Sequence, residues 1–244
     1  MANAAARRDP PDDRPLLALC HAIATRNLSD VERRLDSSPD LAARLFQIGA
    51  SRHDADGYFL DAISHYVYRG DTALHVAAAA HQREVAASLV ARSGVVRARN
   101  RRGAEPLHYA ADASPGTDWW DPDAQREVIR FLVQHGADPN ALDTSGVAPL
   151  HRAVRTRSSE AVRALIENGA DPFLMNKSGS TPLHLAVQNT GRSDSGSDAA
   201  KDEQARVIAV LLEHGARSTD TNAKGKTVAA SASSDWILNL LATP

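Results

Sequence analysis

Only one cysteine, Cys20, stands in the 244 residues, so no intramolecular disulfide can form and a cysteine-built zinc site is excluded. Aromatic residues are scarce, at 5%, and no apolar run approaches the roughly 18 residues that a membrane helix needs. Neither sign of charge predominates. The 28 basic and 30 acidic side chains leave a net charge of −2, which argues against a generally basic nucleic-acid binder and leaves room only for local patches. Met1 to Pro15 carries Arg, Asp and Pro without an apolar h-region, so no secretory leader is expected there and a soluble, cytoplasmic, monomeric protein is the expectation. No Gly-x-Ser-x-Gly elbow, P-loop or dinucleotide fingerprint is present. What the chain does have is core: 43% hydrophobic residues against 24% charged is a folding composition.

Self-comparison turns up a recurring box. It reads Thr72-Ala-Leu-His-Val-Ala77, Glu105-Pro-Leu-His-Tyr-Ala110, Ala148-Pro-Leu-His-Arg-Ala153 and Thr181-Pro-Leu-His-Leu-Ala186. Its histidines, His75, His108, His151 and His184, are 33, 43 and 33 residues apart. A second box, beginning Gly136-Ala137, Gly169-Ala170 and Gly215-Ala216, follows the last three copies. The residues make local sense. Thr72 and Thr181 suit N-caps, and Pro106, Pro149 and Pro182 suit the first helical position, where a missing N–H costs little. Second helices follow with a helical apolar period, as in Glu127 to Val133, Ala161 to Ile166 and Arg206 to Leu212. Glu105 and Ala148 lack the capping hydroxyl, a loss of about 1 kcal/mol. The second repeat has Ser93-Gly94 where the others have Gly-Ala, which predicts an irregular helix end.

The period and the box resemble those of the ankyrin-repeat family, strongly over about residues 67–227 and weakly at the ends. The resemblance implies an all-α solenoid with short β-hairpin-like fingers. The expected division is a disordered stretch 1–13 and one domain 14–244. Within it, repeat 1 is 14–40, repeat 2 is 67–99, repeat 3 is 100–142, repeat 4 is 143–175, repeat 5 is 176–221 and a C-terminal cap is 222–244. Three insertions break the period. The first, 41–66, is expected between helix and finger; the other two, around Ser114 to Asp123 and Thr190 to Asp198, are expected as loops between the helices of repeats 3 and 5. Atypical ends are what an open stack requires.

Ten histidines tempt an acid–base or metal reading. Four are box residues, which in the family bridge neighbouring repeats, and His135 and His214 sit at helix ends. His53-Asp54-Ala-Asp56-Gly57 with Asp61 lacks the ligand spacing of a calcium loop. Cys20 replaces the box histidine in the first repeat and reads as a buried, inert thiol. No catalytic, metal or cofactor residue is assigned.

In the family, partners are bound by finger tips and the exposed ends of the first helices. Carried over, those positions are Arg99, Arg101 and Arg102 with Asp112, then Thr144 with Arg155, then Lys177 with Gln188 and Asn189. Arg92, Arg97, Arg99, Arg101 and Arg102 form the one local basic run, suited to an acidic patch on a protein partner. The scarce aromatics gather in or beside the insertions, and Trp119-Trp120 is a candidate hot spot. The expected function is therefore a non-enzymatic interaction scaffold that binds through finger tips and a concave helix face. Two other readings stand beside it. One is a small-ligand or catalytic site in the insertions, at His53 to Tyr68 and at Trp119-Trp120. The other is a host-directed secreted effector, a use known for the family; 24 arginines against 4 lysines hint at a GC-rich, bacterial genome.

Overall fold

The computed structural model describes residues 12–52, 54–115, 117–188 and 196–242. Twelve helices occur among them. They run α1 (Arg14–Ala24), α2 (Leu28–Ser37), α3 (Ala73–Ala79), α4 (Arg83–Ala91), α5 (Pro106–Ala110), α6 (Pro122–Gln134), α7 (Pro149–Thr156), α8 (Ser159–Glu167), α9 (Pro182–Ala186), α10 (Asp198–Glu213), α11 (Val228–Ser231) and α12 (Asp235–Ala242). First helices stack in one row, α1 on α3 on α5 on α7 on α9. Second helices stack in another, α4 on α6 on α8 on α10. One apolar core runs the length of the array, from Leu16 to Ile237, and all of α3 is buried in it. Small alanines in the first helices let the row pack closely. Each helix pair covers only its neighbours, as in a one-dimensional array.

The box histidines hold this row in register. His75 Nδ1 accepts from the Thr72 N–H at 3.1 Å, and its Nε2 donates to Ala104 O of the next repeat at 3.2 Å. His108 repeats the pattern from Glu105 to Val147, and His151 from Ala148 to Leu174. The imidazole thus bonds the N-cap amide where Glu105 and Ala148 offer no capping hydroxyl. His184 reaches Lys226 O in the same way at 3.0 Å. Cys20 is fully buried, and burial pushes its thiol well up from the ordinary value.

Each finger closes on an Asn or Asp. Asn100 N–H donates to Ala104 O, and the Asn100 Oδ1 accepts from Arg102 and Ala104 N–H. Asp143, Asn176 and Asn222 do the same in their fingers. Neighbouring fingers then bond edge to edge, Arg101 N–H to Arg69 O and Thr144 N–H to Arg102 O.

The first insertion is not between helix and finger. Phe46 N–H donates to Asp71 O and Gly70 N–H to Phe46 O, the pattern that Asn100, Gly103 and Ala104 make in the next finger. The extra residues therefore replace the finger's two-residue tip, from Gln47 to Arg69. Their Tyr58, Leu60 and Ile63 join Phe46 in the common core, and they carry the antiparallel pair β1 (Phe59–Leu60) and β2 (His65–Tyr66). Asp13 holds the start of this segment. It was expected at the end of a disordered stretch, yet it is 5% exposed and its carboxylate accepts from the N–H groups of Gln47, Ile48 and Gly49 and from the Tyr58 hydroxyl. A buried carboxylate with that many donors orders the chain around it. Residues 1–11 of the expected disordered stretch lie outside the described residues.

The later insertions are only partly loops. The first helices α5 and α9 are 5 residues long, while α6 and α10 lengthen to 13 and 16 against 9 in α4 and α8. Buried glutamines join the two. Gln125 Nε2 donates to Ala110 O and Asp112 O, and Gln204 Nε2 to Ala186 O and Gln188 O. Much of the expected loop Thr190 to Asp198 lies outside the described residues.

The end of α4 is also regular, contrary to expectation. Ser93 N–H bonds Val90 O and Gly94 N–H bonds Leu89 O, matching Gly136 and Ala137 at the end of α6. Ser93 does so at φ +73°, the left-handed region that disfavours a side chain. Ser93→Gly is accordingly expected to stabilise the fold by about 1 kcal/mol. An unchanged or lowered urea midpoint would refute this.

Candidate recognition groove

Between the fingers at 100–104 and 143–147 and the first helices beneath them lies a cavity of about 530 Å³. Arg102 comes from one finger tip and Asp143, Ser145 and Val147 from the next; Asp112 follows α5, and Arg152, Arg155 and Thr156 end α7. Spacings of three and four along α7 set the last three on one face. The groove so brings together Arg102, Asp112 and Arg155 from the sequence-based set. Thr144 stands beside it, exposed, its N–H and hydroxyl both donating to Arg102 O. Arg155 also lines a smaller cavity of about 160 Å³ with Arg157 and Gln188, which carries the row to repeat 5. Lys177 is exposed on the next finger and lines neither cavity. Asn189 lies outside the described residues.

The groove floor is Arg152, a residue that motif carry-over does not select. Its side chain is 18% exposed; Nη1 sits 2.9 Å from Asp112 Oδ2 and Nη2 3.5 Å from Asp143 Oδ2. Its guanidinium lies 5.8 Å from the Tyr109 ring. Desolvation opposes the charge, but Asp112, Tyr109 and Asp143 together outweigh it and hold the group above its ordinary value. A signal for Arg152 exists in the sequence. It follows the box histidine, where the other repeats have Val76, Tyr109 and Leu185, and a lone arginine in an apolar column must find counter-charges. Both aspartates pair with Arg152, and Arg102 and Arg155 have no carboxylate within ion-pair distance among the described residues.

The basic run divides by role. Arg99 is a staple: Nε donates to Gly103 O at 3.1 Å and Nη2 to Leu142 O at 2.5 Å, joining two fingers. Arg92 bridges Glu32 and Asp36 of the first repeat, and Arg97 meets Glu105 and Asp138. Arg101 and Arg102 instead lie over the Tyr68 ring of the first insertion, 5.0 and 4.3 Å from its centroid. The insertion and the basic finger tip are thus one surface, a contact with no signature in the sequence.

Trp119 and Trp120 are not a free pair of hot-spot rings. Trp119 packs on the core and on the His81 ring, with centroids 6.2 Å apart. Trp120 is half-buried, and its indole N–H donates to the buried Gln125 at 3.1 Å. Trp120 lines a separate cavity of about 470 Å³ with Arg157, Ala199 and Ala200, which meets the groove only at Thr156.

Among the described residues no cluster of three or more His, Cys, Asp or Glu is arranged to hold a metal, and no helix is long and apolar enough to cross a membrane. His53 of the sequence-level cation candidate lies outside the described residues. A family model described as "Ankyrin repeats (3 copies)" matches residues 36–143 and again 123–195. No curated protein matches the chain.

Proposed function

The chain belongs to the ankyrin-repeat family, and from that premise we propose that it is a non-catalytic cytoplasmic scaffold whose groove binds an acidic segment of another protein. Repeats of this family generally mediate protein–protein binding and are typically non-enzymatic. The observation that supports the finer reading is three arginines, Arg102, Arg152 and Arg155, against two aspartates, Asp112 and Asp143, in the lining of one cavity, with Arg102 and Arg155 outside ion-pair distance of any described carboxylate. A lining with one net positive charge favours a partner carboxylate over a cation or an apolar group. Stacked repeats hold both arginines before contact, which lowers the ordering cost of binding. Residues 14–244 act here as one recognition domain.

The test is capture from a lysate of the native source with wild type and with Arg102→Glu/Arg155→Glu. The double variant is expected to lose the captured partner while its melting temperature moves by no more than about 3 °C, since exposed charge changes are usually within 0.5 kcal/mol. Retention of the partner at wild-type yield would overturn the groove reading. A companion expectation is electrostatic: binding weakens as salt rises from 50 to 300 mM, and a salt-independent affinity would contradict it.

A further inference from the structure

The hairpin of the first insertion continues the basic groove as an aromatic face. Phe59 and Tyr66 are register partners across β1 and β2, with ring centroids 4.6 Å apart. Tyr66 and Tyr68 alternate with the buried Val67, so they share a face, and their rings are 6.4 Å apart. Tyr68 in turn carries the guanidinium groups of Arg101 and Arg102. Arg102 is the joint, because it also lines the groove that holds Arg155. Tyr66 remains 37% exposed at the outer end of the stack. Arg69, Arg101, Arg102 and Arg155 have no carboxylate within ion-pair distance among the described residues.

We propose that the segment bound in the groove is an acidic peptide carrying an aromatic side chain beside its carboxylates. Its ring packs on Phe59 and Tyr66, and its carboxylates meet Arg101, Arg102 and Arg155. This rests on the groove reading above and adds to it the second half of the recognition code. Charge complementarity selects the acidic residues. The stacked rings select the aromatic one, because an offset or edge-on ring gains more from an exposed ring than a small polar side chain does. Tyr68 is a positioning residue: its ring fixes Arg101 and Arg102 in the plane where they meet the peptide.

Three synthetic peptides test this with the full chain by fluorescence anisotropy. One alternates Glu and Gly around a central Trp, the second has Ser for Trp, and the third has Lys for Glu. The Trp peptide is expected to bind about five- to tenfold more tightly than the Ser peptide, and the Lys peptide not at all. Tyr66→Thr is expected to erase the Trp preference while leaving the Ser peptide within about twofold, because ring contacts and charge contacts at separate positions add. Tyr66→Leu keeps the apolar bulk should the threonine variant fold poorly, and the same loss of preference is expected of it. Arg102→Gln with Arg155→Gln is expected to weaken the Trp and Ser peptides alike. Equal affinity of Trp and Ser peptides for wild type, or a preference that survives both Tyr66 variants, overturns the aromatic half and leaves the groove reading standing. Failure of wild type to bind either acidic peptide overturns this inference; loss of the lysate partner in the Arg102/Arg155 variant would still uphold the groove.

Discussion

Lowering the pH from 7 to 4 is expected to unfold this protein, with most of the stability lost between about 6.5 and 4. Burial lowers His65, His81 and His108 to about 4. Desolvation is the main cause in each; the positive Arg152 adds to it at His65 and His108. Their unfolded value is about 6.5, so below that pH the unfolded chain binds protons that the folded chain refuses. Stability then falls with pH, by about 1.4 kcal/mol per pH unit for each such histidine, until the pH reaches the folded value. Three of them acting together would remove about 4 kcal/mol per unit, a large share of the 5–15 kcal/mol typical of a domain.

The geometry gives the same answer. His108 Nδ1, where an added proton would go, already accepts the Glu105 N–H, so protonation sets two donors against each other. His81 Nδ1 and His65 Nε2 are buried with no hydrogen-bond partner among the described residues, so a charge there is poorly compensated. Circular-dichroism melts at half-unit pH steps check this. A melting temperature constant from pH 6.5 to 4.5 would mean that the histidines are not held neutral by the fold.

Asp71→Ala is expected to cost about 3–5 kcal/mol and to weaken peptide binding in the same chain. Asp71 is fully buried. Its carboxylate accepts from Tyr68 N–H at 2.6 Å, Asn100 Nδ2 at 2.8 Å and the Tyr109 hydroxyl at 3.0 Å, with His75 Nε2 at 3.7 Å. Truncation orphans these donors at the joint between the first two fingers. The partners also tie fold to site. Tyr68 carries Arg101 and Arg102, and Tyr109 backs Arg152. Asp71→Asn keeps one acceptor oxygen and is expected to lose less. A urea midpoint for Asp71→Ala that implies a loss below about 1 kcal/mol would show that water or rearrangement satisfies the donors, and the coupling argument would fall with it.

The repeat phase was readable because everything it specifies is local or one repeat away. A Thr or His three residues apart caps one helix, and a box histidine reaches the next repeat by the same vector each time. Such contacts recur with the period, so the period announces them. The basic finger tip was readable as charge and unreadable as partition. Nothing in Arg99-Asn-Arg-Arg102 tells that Arg99 staples two fingers while Arg101 and Arg102 lie on a tyrosine more than thirty positions upstream. The surroundings of Trp119 and Trp120 were unreadable for a related reason: nothing in the pair tells that one ring meets His81 of the preceding repeat while the other bonds Gln125.

The sequence by itself determined the helix pairs, the fingers and the stacking register. Each follows from a pattern repeated along the chain and satisfied within one repeat or its neighbour. The tertiary structure alone decided what occurs once: an insertion seated in a finger tip, Asp13 holding its entrance from across the first repeat, Arg152 between two aspartates, and a tyrosine stack that joins insertion to groove. Contacts made once leave no period to read. They form where the folded stack sets side chains of distant sequence at van der Waals distance and leaves each buried charge to find its partner there.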